Sequence, residues 1–467
     1  MRFTLKFAIW CSTALAAQPG MYDVKSFGAT GRMSDDARSA IQKAIDAAAA
    51  AGGGMVYFPP GAYVSGTLRL RSHVRLHLEA GATLFAAKGD AAFDKDSLLW
   101  GEDLENVTLE GRGTIDGQAE YEWKLNDIDD RYIKENELLM KSLGLPLRRP
   151  FPKGRPGEKF PKLLVLVRCK DVRITGLTFQ RSRSWTIHPY ACEHLVIDGV
   201  RIFSSLKEAV WADGIDPDGC KDVRIANSTI ETGDDAIVFY SANIYGPPLP
   251  CENITVTNCR LSSASSAIKF CDGNMNCVRR VTIDNVVITD SNRGLAFMVF
   301  DGGYVSDVAI SNMTIECRRF DWFWWGDGDP IHCNVKRRSE IHDQAPKPGE
   351  PKAGSIRNVL IQNVIARGQG TSRINGHPDQ WLEGITFDKV RLMVSTDPAS
   401  PLQKTVNAVE MRWARNVKMR DVEIVLGEPR PPKFRNALRT EDVQDLSMQG
   451  FRGSPVELVR TEKSTSP

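Results

Sequence analysis

A short repeated phrase constrains the fold of this chain more than any other feature of its sequence. The phrase alternates apolar and polar residues and ends in Gly or Asn, as in residues 172–176 (VRITG) and 223–227 (VRIAN). Further copies begin at Val107, Leu195, Ile254, Val281, Val308 and Val359, with weaker ones at Ile385, Val417 and Leu446. Most copies lie roughly 23 to 32 residues apart, which is the length of one solenoid coil.

The pattern inside each copy predicts the type of solenoid. Alternation of apolar and polar residues is the period of a strand with one buried face. The terminal Asn or Gly suits a turn that needs a positive φ. Because no helical periodicity of useful length separates the copies, leucine-rich and helical repeats are excluded. We therefore predict an all-β fold, a right-handed parallel β-helix.

A β-helix needs a cap, because each coil relies on its neighbours to bury its apolar face. Residues 34–51 predict an amphipathic, Ala-rich helix that covers the N-terminal end. Ser or Asp at residues 34–36 would be its N-cap, and the glycines at 52–54 would stop it.

Composition and charge exclude two kinds of partner. Of the 467 residues, 42% are hydrophobic and 25% are charged, which is an ordinary globular composition. The formal net charge is only +2, and no basic stripe interleaved with aromatic residues is present, so nucleic acid is not an expected partner. No stretch after the N-terminal region reaches the ~20 apolar residues of a membrane span. We expect a monomer.

The N-terminal residues predict export. Arg2 and Lys6 precede a short apolar stretch and then small residues up to Ala17, which is the pattern of a secretory signal peptide. A buried N-terminal segment is the alternative. The prediction is a signal peptide at 1–17 and a secreted or periplasmic protein.

The remaining chain is predicted to form one catalytic β-helix domain over residues 22–455, followed by a tail at 456–467. Two stretches break the repeat, and we expect loop insertions there, near 118–162 and 320–353. The second contains a tryptophan-rich segment, WFWW at residues 322–325. Such a segment either packs over the side of the solenoid or stacks against a carbohydrate.

Ten cysteines are present, and an odd number remains if Cys11 is removed with the signal peptide. Four of them occupy equivalent repeat positions, where a small apolar side chain stacking in the core is the favoured interpretation: Cys169, Cys192, Cys220 and Cys251. Cys271 and Cys277 flank a polar loop and are the best candidates for a disulfide.

Two acidic clusters indicate the chemistry. Residues 211–216 (WADGID) and 233–237 (GDDAI) lie about one coil apart. Residues on successive coils stack about 4.8 Å apart, so Asp213 is expected beside Asp234 or Asp235. Neighbouring carboxylates repel and therefore differ in protonation state, as acid/base cleavage of a sugar bond requires. The alternative is that these residues only shape turns.

Further phrases reveal a family resemblance. They are residues 24–29 (VKSFGA), 52–61 (GGGMVYFPPG), 78–84 (LEAGATL) and 113–117 (GTIDG). Together with the acidic clusters, they make the chain resemble glycoside hydrolase family 28, the polygalacturonase family, within the pectate-lyase-like superfamily. The resemblance runs over roughly residues 22 to 450.

The resemblance implies an inverting hydrolase that acts on a pectin-like or related acidic polysaccharide. Asp234 would be the general acid, and Asp213 and Asp235 would hold the attacking water. No metal and no cofactor is expected. Inversion usually requires the acid and base carboxylates to lie ~6.5 to 9.5 Å apart, and we expect placement on neighbouring coils to supply this distance.

The chain departs from the family pattern at its substrate-binding motifs. Ser266 stands where the family's Gly-His-Gly histidine is expected, and the Arg-Ile-Lys motif is absent from residues 292–298. Lys269 and Arg293 are offset cations that we expect to replace the missing basic pair. These changes predict a substrate other than plain polygalacturonate, or exo action.

Three further residues are candidates for substrate binding. Ser266 occupies the histidine position, Trp211 immediately precedes the acids, and His188 lies one coil earlier. A buried structural role is the alternative for His188, and a core position is the alternative for Trp211.

Two other functions fit the same fold. A polysaccharide lyase would use a base such as Arg293, often with a calcium ion held by carboxylates. A non-catalytic glycan-binding protein would explain the missing motifs. In each case the expected partner is a polysaccharide or an oligosaccharide.

Overall fold

The computed structural model describes residues 20–121, 123, 141–142, 161–270, 272–320, 326–341, 344–395, 405–427 and 434–460. Several predicted features lie outside these residues, namely the signal peptide at 1–17, most of the insertion at 118–162, the WFWW segment and the end of the tail.

Parallel strands make up most of the described chain. In chain order they are β1 (Gly20–Asp23), β2 (Gly54–Phe58), β3 (Gly61–Ser65), β4 (Leu68–Arg69), β5 (Val74–Leu78), β6 (Ala82–Ala86), β7 (Ser97–Glu102), β8 (Glu105–Gly111), β9 (Thr114–Asp116), β10 (Lys162–Val167), β11 (Lys170–Thr175), β12 (Thr178–Gln180), β13 (Ile187–Tyr190), β14 (Glu193–Asp198), β15 (Arg201–Phe203), β16 (Lys221–Ala226), β17 (Thr229–Thr232), β18 (Ile237–Phe239), β19 (Cys251–Thr257), β20 (Arg260–Ser263), β21 (Ser266–Phe270), β22 (Cys277–Ser291), β23 (Arg293–Val299), β24 (Tyr304–Cys317), β25 (Asp329–Val335), β26 (Ser355–Gly368), β27 (Ser372–Asn375), β28 (Leu382–Val394), β29 (Asn407–Arg420), β30 (Glu423–Leu426), β31 (Asn436–Gln449) and β32 (Val456–Val459).

Helices are few and short. Among the described residues, those with described bounds are α1 (Arg38–Ala50), α2 (Arg338–Ile341) and the 3₁₀ helices Val24–Phe27, Asp90–Ala92 and Ala119–Tyr121. In the part of the chain that the structure describes, no helix is long and apolar enough to cross a bilayer.

The strands stack in three rows that form a right-handed parallel β-helix, as the sequence predicts. The first row begins β1–β2–β5–β8, and the second begins β3–β6–β9–β12. The third row, called the third sheet below, contains β4, β7, β10 and β13, and then β18, β21, β23, β25 and β27. Single bridges at Ile215 join β13 to β18.

Asparagines form the turn between the first and second rows. Asn227, Asn258 and Asn285 have φ values of 53°, 55° and 57°, the left-handed conformation that Asn tolerates better than most residues. Their side chains bond from coil to coil, since Asn258 Nδ2 donates to Asn227 Oδ1 at 3.2 Å and Asn285 Nδ2 donates to Asn258 Oδ1 at 2.7 Å. The predicted positive φ at these turns is confirmed.

The core is a continuous column inside the coils. Phe270 stacks on Phe297 with ring centroids 4.3 Å apart, and buried Val, Ile and Leu of the repeats surround them. Cysteines also stack in this core: Cys169, Cys192, Cys220 and Cys251 are buried free thiols. Cys277 is likewise buried and free, whereas Cys271, its predicted partner, lies outside the described residues.

The predicted N-terminal capping helix is present as α1. Its apolar side, which includes Ile41, is buried in the main core. The prediction of a Ser or Asp N-cap was wrong, because Ala37 occupies that position without a side-chain bond. Asp36 Oδ1 instead accepts from the amide of the first helical residue at 2.9 Å. Gly53, with φ 128°, follows the helix and donates to the carbonyl of Ala48.

Candidate active site

The register of the third sheet aligns residues from successive coils into columns. Ser266 pairs with Arg293, and Arg293 pairs with Asp329. The bridges Ile187–Ile215 and Ile215–Ile237 extend the same register backwards to Asp213 and Asp235. These five residues form the first column, at the start of the sheet's strands.

A second column lies three residues further along each coil. Lys269 pairs with Ala296, Ala296 with His332, and His332 with Arg373. Their neighbours Ile268, Leu295, Ile331 and Ile374 point into the core, so the second column faces outward.

Three carboxylates meet in the first column and beside it. One oxygen from each of Asp213, Asp234 and Asp235 lies within 4.8 Å of the others. All three side chains are buried, and Asp234 retains the largest exposed fraction, 9%. The structure therefore brings together the acids that the sequence singled out.

The backbone around Asp234 is tightly fixed. A Cβ on Gly233 would lie 2.3 Å from the carbonyl oxygen of Ala209, so only glycine fits before the two acids. Thr232 Oγ1 and Ser263 Oγ both donate to the carbonyl of Asp234, at 2.8 and 2.6 Å. Two hydroxyls from successive coils thus set the direction of this segment.

The three carboxyl groups experience different environments. Burial and then the neighbouring Asp235 raise the pKa of Asp234. Burial and then Asp234 raise the pKa of Asp213. Asp235 Oδ2, in contrast, accepts from Lys269 Nζ at 2.9 Å, and Oδ1 accepts from the Ser266 amide at 2.8 Å. An ammonium and an amide at its two oxygens suit a carboxylate that carries the negative charge.

Asp216 is a fourth acid in this region. Its side chain is fully buried, and neither of its oxygens bonds to a described residue. Burial raises its pKa, and Lys162 lowers it by a smaller contribution. A buried carboxyl without hydrogen bonds destabilises the fold when it ionises.

We expect Asp216→Asn to stabilise the protein increasingly as pH rises. The pKa of Asp216 is higher in the folded state than in the unfolded state. At pH values between these two pKa values, the folded state therefore binds more protons than the unfolded state. Stability is then lost as pH rises through that window. Asn does not titrate, so the free energy of unfolding gained by the variant should grow with pH and be largest at pH 8. Thermal unfolding from pH 4 to 8, beside the exposed Asp445→Asn as control, measures this; equal pH profiles for the variant and the native chain would refute it.

His188 is not placed where it was predicted. Its ring has no exposed surface, and it packs edge-on against Trp185 at 4.7 Å between centroids. Nδ1 lies 2.9 Å from Lys162 Nζ, and burial, then Lys162, lower the pKa of the ring. The prediction of substrate contact was wrong, because a ring sealed behind Trp185 and Lys162 cannot reach a sugar.

Lys162 is a residue of this region that sequence reasoning missed. Its ammonium bonds to Tyr245 Oη at 3.1 Å and lies 3.8 Å from an oxygen of Asp96. Burial is the main cause that lowers its pKa. Since Lys162 stands at the end of the predicted insertion at 118–162, no repeat position indicated a role for it.

Ser266 and Trp211, two of the predicted substrate-binding residues, differ in exposure. Ser266 is fully buried and supports Asp235 through its amide, so the prediction that it contacts substrate was wrong. Trp211 is 37% exposed and directly precedes the segment of Asp213. Of these two candidates, the structure leaves only Trp211 open to a sugar ring.

A cavity of about 830 Å³ adjoins Lys269 on the C-terminal side of the acids. Its lining includes Arg293, His332, Arg373, Arg412 and Trp413. Sequence reasoning missed His332 and Arg373 because insertions of unequal length separate their coils. The only signal was His332 itself, three residues after the Gly-Asp-Gly-Asp run at 326–329.

Arg293 is a buried cation in this cavity. It is 4% exposed, and its Nε has no hydrogen-bond partner among the described residues. The contact of its Nη1 is with Met298 Sδ at 3.9 Å, and it forms no ion pair with any described carboxylate. Its charge nonetheless acts on Asp329, whose pKa Arg373 and, by a smaller contribution, Arg293 lower against the effect of burial. Because Arg293 lines the cavity, an anionic ligand there would pair with it directly.

The acidic cluster also has the donor set of a cation site. Three carboxylates at this spacing match the oxygen ligands that Ca²⁺ and Mg²⁺ prefer. However, Lys269 already places a positive charge 2.9 Å from Asp235. The expectation of no metal therefore stays a prediction, with Lys269 as the neutralising group.

Two parts of the chain match known protein families. Residues 152–317 match the model of glycosyl hydrolases family 28, and residues 21–119 match that of rhamnogalacturonase A/epimerase, pectate lyase-like. A probable polygalacturonase of Vitis vinifera is 26% identical over 73% of this chain and 67% of its own length. An exopolygalacturonase of Zea mays is 25% identical over 53% of this chain and 54% of its own length.

The fold has a similar solved structure. An exopolygalacturonase of Thermotoga maritima superimposes with a TM-score of 0.69 at 22% identity, over 87% of this chain and 92% of that one. At this identity the likeness concerns the fold, and it confirms the β-helix.

Proposed function

We propose that this chain, of which residues 152–317 match the model of glycosyl hydrolases family 28, hydrolyses glycosidic bonds in a pectin-like or related acidic polysaccharide. The observation that carries the proposal is the group of three carboxylates in unequal environments beside a cavity with two buried cations, Lys269 and Arg293. The acids supply the bond cleavage, and the cations favour a substrate that carries carboxylates.

Asp234 is proposed as the general acid. It is the most exposed of the three, and its raised pKa keeps a proton on it closer to neutral pH. It gives this proton to the glycosidic oxygen as the bond to the anomeric carbon breaks. Water attacks that carbon, and its proton passes to the ionised partner.

Asp235 is proposed as that partner, with Asp213 helping to hold the water. The oxygens of Asp235 accept from Lys269 and from the Ser266 amide, so the group is kept in place and is a poor nucleophile. Water is then the reacting nucleophile, which favours inversion at the anomeric carbon. Each turnover leaves Asp234 deprotonated and Asp235 protonated, and solvent restores both.

The spacing of the acids makes the stereochemical outcome a sharp test. The nearest oxygens lie within 4.8 Å, closer than the expected ~6.5 to 9.5 Å, because the acids occupy adjacent residues and adjacent coils. We expect inversion, with the water beside the pair rather than between its members. Proton NMR of the first product formed, before mutarotation, distinguishes the two anomers; a product that retains the configuration would make one of the acids a nucleophile.

Exo action is proposed for the same site. The similarity to the maize exopolygalacturonase supports it, and α2 with residues 376–378 borders one side of the cavity. An exo enzyme releases one small product from the start of the reaction. A ladder of intermediate oligosaccharides at early times would contradict exo action without affecting the hydrolase assignment.

The assay that tests the function is release of reducing ends from a panel of pectic and other acidic glycans. Release without an ultraviolet-absorbing unsaturated sugar supports hydrolysis, whereas an unsaturated product supports the lyase. Binding without any release, in the native chain as in Asp234→Asn, supports the non-catalytic alternative. We also propose that the protein acts outside the cell, which the signal-like residues 1–17 support.

A further inference from the structure

A second cavity, of about 630 Å³, lies on the C-terminal side of the first one. Pro378 and Trp413 line both cavities, whereas Trp381 lines the second and not the first. The coil of Trp381 contains β27, four coils beyond that of Asp235 and therefore about 19 Å from it along the solenoid axis. The second cavity is thus too far from the acids to take part in bond cleavage.

The strand register brings the two tryptophans to one wall of this cavity. Trp381 and Trp413 occupy matching positions of successive coils, because the residues that follow them are paired in the register of β28 and β29. Trp381 Nε1 donates to the carbonyl of Pro378 at 3.2 Å. A Cβ on Gly376 would lie 2.3 Å from the carbonyl oxygen of Trp413, so the loop at 376–380 contacts both tryptophans and fixes their positions.

The backbone at Trp413 is strained. Its φ is 49°, a left-handed conformation that is unfavourable for a bulky side chain. The matching position of the next coil holds Asp442, with φ 53°, and Asp tolerates this conformation better. Strain of this kind persists where the surrounding structure enforces it, and it is concentrated at functional sites. A role of the Trp413 ring in binding accounts for its presence at such a turn.

The rest of the lining is polar and carries more negative than positive charge. Gln444 and Asp445 are exposed at the cavity, and Asp442 and Arg460 complete its charged lining. Two carboxylates against one guanidinium disfavour an anionic ligand. Carboxylate and amide oxygens accept hydrogen bonds from hydroxyl groups, and an indole ring offers a large apolar face to the C–H side of a pyranose. An uncharged sugar matches both kinds of surface.

We propose that the second cavity binds a neutral pyranose of the polysaccharide, packed against Trp381 and Trp413 with its hydroxyl groups on Gln444 and Asp445. The wall that the cavities share at Pro378 and Trp413 places them side by side, so a chain with neutral branches or neutral units reaches both. The inference rests on the proposed function, since it adds a neutral-sugar site for the same polysaccharide.

Calorimetric titration with galactotriose and xylotriose, two uncharged pyranose oligomers, tests this site. We expect the native chain to bind at least one of them, and Trp381→Ala to weaken that binding about tenfold through loss of the aromatic face. Trp381→Phe keeps an aromatic face and should retain most of the affinity. Trp211→Ala is the matched control, because Trp211 is also partly exposed but lies near the acids; it should not change the affinity for the neutral sugars.

Trigalacturonate measures the charge preference of the second cavity. Its affinity should be equal in Trp381→Ala and in the native chain, and the melting temperature shows whether each variant folds. The inference would be overturned if neither neutral sugar bound, if Trp381→Ala weakened neutral and acidic sugars equally, or if Trp211→Ala weakened the neutral sugars as much as Trp381→Ala. Failure of the proposed function is seen separately, as absence of reducing-end release from acidic glycans by the native chain.

Discussion

Asp234→Asn should lower the rate of polysaccharide hydrolysis by about 10²- to 10⁴-fold, the usual contribution of a general acid. Asn cannot give a proton to the leaving oxygen, although it keeps the size of the side chain. The hydroxyls of Thr232 and Ser263 bond to the backbone at this position, so the segment should keep its shape. Initial rates of reducing-end release, with the melting temperature as control, measure the effect.

A substrate with a good leaving group separates the acid from its partner. A 4-nitrophenyl glycoside of the preferred sugar needs little protonation, so Asp234→Asn should be affected much less on it than on the polysaccharide. Asp235→Asn should be impaired on both substrates, because water activation is still required. If Asp234→Asn lost the same factor on both substrates, Asp234 would not be the proton donor.

Lys269→Met is expected to destabilise the protein by about 3–5 kcal/mol and to abolish hydrolysis. The Lys269–Asp235 pair is almost fully buried, with Nζ and Oδ2 2.9 Å apart. Removing the ammonium leaves an uncompensated charge in a region of low dielectric, which costs far more than the loss of a surface pair. Chemical denaturation at pH 7 gives the change in free energy of unfolding.

A double-mutant cycle checks that Asp235 is the cause. Asp235→Asn combined with Lys269→Met should recover much of the lost stability, because no buried charge then lacks a partner. Lys170→Met is the matched control, since Lys170 is exposed and pairs with Glu193 at 3.4 Å; less than about 1 kcal/mol is expected there. Additive losses in the double variant would show that Lys269 acts through other contacts.

The sequence predicts the frame of this molecule well because its repeat is local. Each copy carries its own strand and its own turn residue, so Asn227 and Asn258 are readable without knowledge of the rest. The proximity of the carboxylates can be predicted for the same reason. Asp213 and Asp235 are 22 residues apart by their numbering, close to one coil, and stacking then brings them together.

The residues that line the cavity are harder to predict from the sequence, because their alignment depends on the strand register across insertions. Arg293 and Asp329 are neighbours in the register of adjacent strands, although the insertion beginning near residue 320 separates these strands in the sequence. The local sequence pattern does not predict how many residues of an insertion lie outside the sheet. His188 shows the opposite error: its repeat position is visible, but its burial depends on Trp185 and on Lys162 from a distant segment.

The position of Ala296 bears on how the substrate preference of such an enzyme can change. It stands between Lys269 and His332 in the second column, so the smallest side chain of the column lies between two residues that line the cavity. Each member of the column comes from a different coil, and the acids belong to earlier coils. Ala296 is fully buried against Met298 and Phe300, which line the cavity. A larger side chain at residue 296 would therefore displace these two neighbours and change the shape of the cavity while leaving the acids as they are.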